Sequence, residues 1–521
     1  MNAFNTFVLL MYIAVLIVGV AQKRRISYPI ALVIGGSLLG FIPGLTLFDF
    51  DPHILIMTVL PPILFYASYS LSFKEFIFYF SDIFSLAIGL VIATTIGIGF
   101  LFKWLFPELS WSLAFAFGAI ISPPDAVATT AILKSSSINS RLRTILEGES
   151  LINDASALVI YRFAVLAIMT ENFHLKAIIP EVFYVVGGGI LIGLSLGYIF
   201  SRISDFLFPP LAVVHSFTIP YMTYCLANFF NVSAVLAVVT CGLLGARILI
   251  TRKTPLMRVL AWASWDLFII LLNCFIFILI GLKFRQIIEK MSWDQIWIYS
   301  GYGVLITLAI FFMRFAWIYF RRLVWHFRVR KDYHKVQQSK IYLRYAVISS
   351  WAGMRGIVSL IAALALPLNL PNGMPLQGRE IVIFLTFQVI FLTLVIPGLT
   401  LPLLIRWLKV QTISTHEEVL QVRKELTEVA KKELDQLHLS KHLDNDEHNL
   451  LSMYFNSHGK LKEISSISEE HKIEKARHHI LQKQREHLMQ IWLSNKINDN
   501  LMHELERELD IEESHLIRGE I

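Results

Sequence analysis

Between residues 147 and 163 the chain reads Glu-Gly-Glu-Ser-Leu-Ile-Asn-Asp-Ala-Ser-Ala-Leu-Val-Ile-Tyr-Arg-Phe, an acidic and amide cluster running into an apolar stretch. On a helix Ser150 and Asp154 lie four residues apart and share a face, as do Glu149 and Asn153 beside them. One turn thus offers a carboxylate, an amide oxygen and a hydroxyl. These are hard oxygen donors, suited to an alkali cation or a proton. No His or Cys joins them, which disfavours a soft transition metal. A charge at the centre of a membrane helix costs about 2.5–3.5 kcal/mol on insertion scales, and a chain carries that cost where the carboxylate handles a proton or a cation. Asp154 is therefore the candidate carrier, with Asn153 and Ser150 as further ligands of a bound cation. Polar pairing between packed helices is the alternative use of the same side chains.

Such a cluster has meaning only inside a membrane, and the composition supplies one. Of 521 residues 55% are hydrophobic and 16% charged. The charge is segregated: residues 1–408 hold 30 Lys/Arg against 17 Asp/Glu, whereas residues 409–521 hold 16 against 22. The basic surplus sits in loops beside apolar runs, so membrane lipid is the expected environment and nucleic acid is not an expected partner. Hydropathy predicts an all-α polytopic protein with thirteen spans, near 4–21, 29–47, 54–71, 83–105, 111–133, 146–169, 181–203, 211–229, 232–250, 259–282, 296–320, 342–366 and 380–408. The first apolar run precedes Lys23-Arg24-Arg25, the reverse of a cleaved secretory signal. With the amino terminus outside, inner loops between these spans carry seventeen Lys/Arg and outer loops five. The positive-inside rule then places the long tail in the cytoplasm. Cys225, Cys241 and Cys274 all fall in apolar runs and suggest neither a disulfide framework nor a metal pair.

Two spans are interrupted. Span five contains Ser122-Pro123-Pro124-Asp125, where the prolines remove backbone donors and Asp125 can cap a new half-helix. Span twelve contains Gly353-Met354-Arg355-Gly356, with glycines that permit a break and an arginine at membrane depth. The two spans run in opposite directions. Broken helices at matching places in two oppositely oriented halves point to an inverted-repeat transporter with its site at the midplane. Asp125 joins the candidate binding residues. Arg355 is expected to compensate a buried acid, with Glu149 as the natural partner, and Glu147 to line an entrance. Gly189, Gly193 and Gly197 predict close helix packing. Asp266 and Asn273 share a face and line a cavity or pack as polar neighbours. Arg162 and Arg314 are intramembrane cations, expected to snorkel or to pair with an acid.

The tail, 409–521, predicts soluble helices. Val419, Val422, Leu426, Val429 and Leu437 keep an apolar stripe, and a second amphipathic stretch covers 473–509. Eleven of the sixteen histidines lie here, in a polar helical domain or one that responds to pH.

The chain resembles the sodium/proton antiporters of the monovalent cation:proton antiporter-1 family. The resemblance covers residues 1–408. It is carried by Glu147-Gly-Glu-Ser-Leu-Ile-Asn-Asp154, Ser122-Pro-Pro-Asp-Ala-Val127, Trp351-Ala-Gly-Met-Arg-Gly-Ile-Val-Ser359 and Leu60-Pro-Pro-Ile-Leu-Phe65. It implies thirteen spans, crossed interrupted helices five and twelve, a dimerisation part (about 1–71 and 181–282) and a core transport part (about 83–169 and 296–408). It implies Asp154 as the Na⁺ and H⁺ carrier, completed by Asn153, Ser150 and the backbone of broken span five, and a Glu149–Arg355 ion pair. Two positions depart from the family pattern: Pro124 stands where threonine is frequent, and Tyr66 where many members carry an acid. The expected activity is electroneutral exchange of Na⁺ or Li⁺ for H⁺ by a homodimer in the plasma membrane (the inner membrane of a bacterium), serving pH and sodium homeostasis. The ions are cargo, and no cofactor is implied. The alternatives are K⁺/H⁺ exchange on the same fold and, further off, a cation channel. An intramembrane aspartyl protease would need a Gly-x-Gly-Asp context, which the sequence lacks.

Overall fold

Apolar helices satisfy every backbone group internally, the one requirement that lipid imposes on a spanning segment. The computed structural model accordingly builds the chain from helices. It describes residues 3–24, 26–42, 52–125, 129, 140–170, 175–252, 255–289, 291–328, 344, 346–408, 415–440, 442–456, 470–494, 496–497 and 499–517. Up to the first interruption these are α1 (Ala3–Lys23), α2 (Tyr28–Leu39), α3 (Pro52–Tyr69), α4 (Phe73–Phe78), α5 (Phe80–Leu105) and α6 (Trp111–Ile121). Then follow α7 (Ser140–Thr170), α8 (Leu175–Ser204), α9 (Pro209–Phe229), α10 (Ala234–Arg252), α11 (Pro255–Ile288) and α12 (Trp293–Arg328). A short helical run, 346–351, precedes α13 (Ile357–Leu364) and α14 (Arg379–Leu408). Seven of the described helices are long and apolar enough to cross a membrane, and four shorter apolar helices accompany them. The extended backbone among the described residues amounts to one bridge, Asn369 with Pro375.

Both predicted breaks are present. α6 starts with Ser110 accepting from the Leu113 N–H at 3.2 Å and stops at Ile121, before the two prolines that cannot donate. The remainder of span five lies outside the described residues apart from Thr129, as do Ala126 and Val127 of that motif and much of the basic loop before span twelve. The second break runs from Gly353 to Gly356, and α13 restarts after it. A third irregularity has no signature in the sequence: α5 widens into a π-helical turn over Ser85–Leu90. The glycine stripe of α8 packs as expected. A Cβ on Gly189 would fall 2.6 Å from the carbonyl oxygen of Ser233, and the backbone of Ala237 closes in the same way on Gly193.

The chain divides into two compact units. The first comprises Met1–Ser204, His215–Arg247 and Trp265–Gln411; the second comprises Asp205–Val214, Ile248–Ser264 and Thr412–Ile521. In the second unit the tail folds as α15 (Thr415–Leu439), α16 (Asn445–Asn456), α17 (Glu470–Leu493) and α18 (Asp499–Ile517). Val419, Val422 and Leu426 pack with Leu481, Leu488 and Leu501, as the stripe predicts. The stretch 473–509 is covered by α17 and α18, and Ile497 between them packs into the same core. Arg258, near the start of α11, forks onto Asp510 of α18 (Nε to Oδ2 2.7 Å, Nη2 to Oδ1 2.5 Å). Arg485 donates to Asp510 at 2.7 Å and pairs with Glu513 at 2.6 Å, so a buried acidic face is closed by two guanidinium groups. A cation near a helix start opposes the helix dipole and needs such carboxylates.

Candidate functional site

α7 carries the acidic cluster without interruption through the first unit, because Glu147 to Phe163 contains no proline and its one glycine, Gly148, stands alone. Its buried face presents Glu149, Ser150, Asn153 and Asp154 together. Asn153 is 0% exposed and Asp154 9%. The Asn153 amide Nδ2 donates to the Pro124 carbonyl at 3.4 Å, which ties α7 to the first break and turns Oδ1 away from that contact. Among the described residues no donor reaches Asn153 Oδ1, a buried acceptor without a hydrogen bond. Such an atom is costly unless something positive occupies its lone pairs. Two residues beyond Asp154, Ser156 Oγ donates to the Ala87 carbonyl at 2.6 Å, within the π-helical turn of α5.

The two breaks meet each other. The Asp125 N–H donates to the Met354 carbonyl at 2.6 Å. Thr129 Oγ1 donates to the Ala352 carbonyl at 2.7 Å and to the Asp125 carbonyl at 2.9 Å. The Asp125 carboxylate lies directly against Gly356, in the space a side chain would need. Asp125, Asn153 and the broken backbone of both helices are therefore brought together.

The ion pair is different from the expected one. Glu149 is gripped by Arg314 of α12, Nη1 to Oε1 at 2.5 Å and Nη2 to Oε2 at 2.7 Å. Both side chains are 1% exposed. Arg314 Nε adds a 2.9 Å bond to the Ser349 carbonyl, just before the second break. Arg355 donates instead to carbonyls: Ile121 at 3.1 Å from Nε, and Gly353 from Nη1. Its own N–H is received by Thr393 at 3.1 Å. The physical reason lies in the interruptions. Ending α6 at Ile121 strands carbonyls at the negative end of a half-helix, and a buried guanidinium satisfies them without a carboxylate. Arg314 had been visible only as a cation in need of some acid.

Other anticipated residues find their places. Glu147 pairs with Arg143 one turn earlier at 2.8 Å. Tyr66, at the position where an acid is frequent, donates its hydroxyl to Asp266 of α11, so a carboxylate does stand in that neighbourhood. Asn273 donates to the Tyr28 hydroxyl at 3.3 Å. Arg162 donates to the Asn231 carbonyl at 3.1 Å, in the turn between α9 and α10.

A transporter called an uncharacterized Na⁺/H⁺ exchanger, YjcE of Escherichia coli K12, is 29% identical over 548 residues, covering 99% of both chains. The sodium, potassium, lithium and rubidium/H⁺ antiporter of Bacillus pumilus is 29% identical over 392 residues, covering 73% of this chain and 58% of that one. Among solved structures, the sodium proton antiporter MjNhaP1 of Methanocaldococcus jannaschii superposes with a TM-score of 0.61 at 18% identity, over 78% of this chain and 98% of that one, a likeness of fold. The family profile described as sodium/hydrogen exchanger, transmembrane, matches residues 8–407. This all-helical, multi-pass membrane protein belongs to the sodium/hydrogen exchanger family, whose members are cation/proton antiporters rather than catalytic enzymes.

Proposed function

We propose that the chain exchanges Na⁺ or Li⁺ for H⁺ one for one, by alternating access, at a site built on Asp154. Asn153 Oδ1 and Ser150 complete the ligand set from α7, and Asp125 contributes from the junction of the two breaks. The observation that carries this reading is the buried Asn153 Oδ1 with no hydrogen-bond donor beside a buried carboxylate. A small hard cation supplies the missing partner. It also neutralises Asp154, while a proton neutralises the same group when the cation leaves. Either loaded form is neutral and can cross the barrier; the empty charged form carries a desolvation penalty and cannot. One exchanging carboxylate makes the cycle electroneutral, because the neighbour of Asp154 is Asn153, Glu149 is committed to Arg314, and Asp125 keeps the same charge through the cycle.

K⁺ is a second cargo for the same site, favoured by the name of the B. pumilus relative, which includes potassium and rubidium. We place the transporter in the plasma membrane, or the inner membrane of a bacterium, as a homodimer with its amino terminus outside and its tail in the cytoplasm. It would there serve pH and sodium homeostasis. Dimer contacts fall to about 1–71 and 181–282, and transport to about 83–169 and 296–408.

Proton-coupled flux in proteoliposomes, compared for Na⁺, Li⁺ and K⁺, tests the cargo. Asp154→Asn is expected to abolish exchange in a protein that still inserts. Exchange that persists in this variant removes Asp154 from the mechanism.

A further inference from the structure

Above Asp154 the same face of α7 leads to a feature that the exchange scheme has not used. Asp154, Leu158 and Arg162 follow one another at intervals of four, so they lie in line, with Leu158 about 6 Å and Arg162 about 12 Å along the helix from the carboxylate. Beside this line is a cavity of about 200 Å³, walled by Ile56 and Leu60 of α3, Leu158 and Arg162 of α7, and Val358 and Ile361 of α13. Its lining is apolar almost throughout. Arg162 is its single charged side chain among the described residues. Leu158, one turn along α7 from Asp154, and Val358, just beyond the second break, are among its lining residues.

Arg162 is also held in place. Its Nη1 donates to the carbonyl of Asn231 at 3.1 Å. Asn231 occupies a left-handed conformation, φ 54°, and the turn is pinned on both sides: Val232 N–H to the Ala227 carbonyl at 3.0 Å, and Ser233 N–H to the Val185 carbonyl at 3.0 Å. A turn fixed in this way presents its carbonyl rigidly. The guanidinium is thereby tethered from α7 to the α9–α10 turn, at an exposed edge of the cavity.

We propose that this cavity is the vestibule by which the cation approaches Asp154 from one membrane face, and that Arg162 is the residue that sets how readily a cation enters it. The face is the outer one in the orientation given above, since α7 runs from the cytoplasm outward. A positive charge in an apolar vestibule disfavours every cation there equally, so Arg162 raises the concentration needed on that face without choosing between Na⁺ and Li⁺. At an effective dielectric of about 20, two like charges about 12 Å apart weaken occupancy about tenfold. The carrier role of Asp154 is assumed in this, and the vestibule itself can be tested without it.

The test reads the field in the cavity directly. Leu158→Cys is introduced after replacing Cys225, Cys241 and Cys274, and reacted from either side with cationic and anionic methanethiosulfonate reagents of similar size. With Arg162 present, the anionic reagent should react faster relative to the cationic one, from the outer face. Arg162→Gln should shift that ratio toward the cationic reagent by well over tenfold, since position 158 lies about 6 Å from Arg162 along α7, and Arg162→Lys should leave it unchanged. In sided vesicles Arg162→Gln should lower the KM for Na⁺ on that face alone by up to about tenfold, with the opposite face unaltered. A reagent ratio indifferent to residue 162, or a KM that moves equally on both faces, overturns the proposal. Persistent exchange in Asp154→Asn overturns the carrier assignment instead, and the reagent ratio distinguishes the two failures because it needs no transport.

Discussion

Arg314 forks both carboxylate oxygens of Glu149 across 165 residues of sequence, at 2.5 and 2.7 Å, with neither side chain more than 1% exposed. The pair joins α12 to the helix of the carrier. Removing one partner leaves a bare charge in a dry place, which costs about 3–5 kcal/mol in buried pairs. Arg314→Ala is therefore expected to lower the unfolding temperature in detergent sharply. Replacing both partners together, Glu149→Leu with Arg314→Met, should recover much of that loss. If the double variant is no more stable than the single one, the pair is not acting as a mutual neutraliser.

Gly356 has no room for a side chain because the Asp125 carboxylate fills it. Its backbone, φ −133° and ψ −151°, is open to any residue, so the constraint is space and not conformation. Gly356→Ala must push the two breaks apart, and exchange is expected to fall at least tenfold while the protein still inserts. Flux in proteoliposomes at matched protein content measures it. Normal flux would mean that the junction yields without consequence.

Competition between a proton and a cation for one carboxylate gives a pH dependence with a definite sign. Lowering the pH fills Asp154 with protons, so the KM for Na⁺ rises as pH falls, approaching about tenfold per pH unit in the acidic limb. The maximal rate at saturating Na⁺ should change far less. A KM flat across the whole pH range would require separate sites for the two ions.

In the second unit, Arg258→Ala removes one of two guanidinium groups that close the face formed by Glu506, Asp510 and Glu513. These acids are buried, and the loss should loosen Asp499–Ile517 by several kcal/mol. Hydrogen exchange of that helix, followed by mass spectrometry in the full-length protein, should quicken. Unchanged protection would show that Arg485 alone suffices.

Much of this was written in local sequence. Paired prolines at 123–124 and the glycines at 353 and 356 announce interruptions because each acts on its own backbone, whatever surrounds it. The acid and amide cluster announces itself because burying it is costly. Partner identity is another matter. Glu149 and Arg314 are brought together by packing between distant helices, and nothing in either segment names the other. Arg355 was legible as a buried cation, but its carbonyl partners arise only once α6 has ended at Ile121 and stranded them. The same limit applies to Tyr66, whose role depends on Asp266 two hundred residues away. The π-helical turn was invisible for a further reason: its residues, Ser-Leu-Ala-Ile-Gly-Leu, would suit an ordinary helix.

That turn has a consequence for how the protein tolerates change. A widened turn holds one residue more than regular pitch requires, so deleting a single position within 85–90 would let the helix relax to normal winding while the segments on either side keep their facing. Ala87 would then no longer offer its oxygen to Ser156. A one-residue deletion in this stretch should accordingly be absorbed by the helix itself, with its cost confined to the lost contact between Ala87 and Ser156.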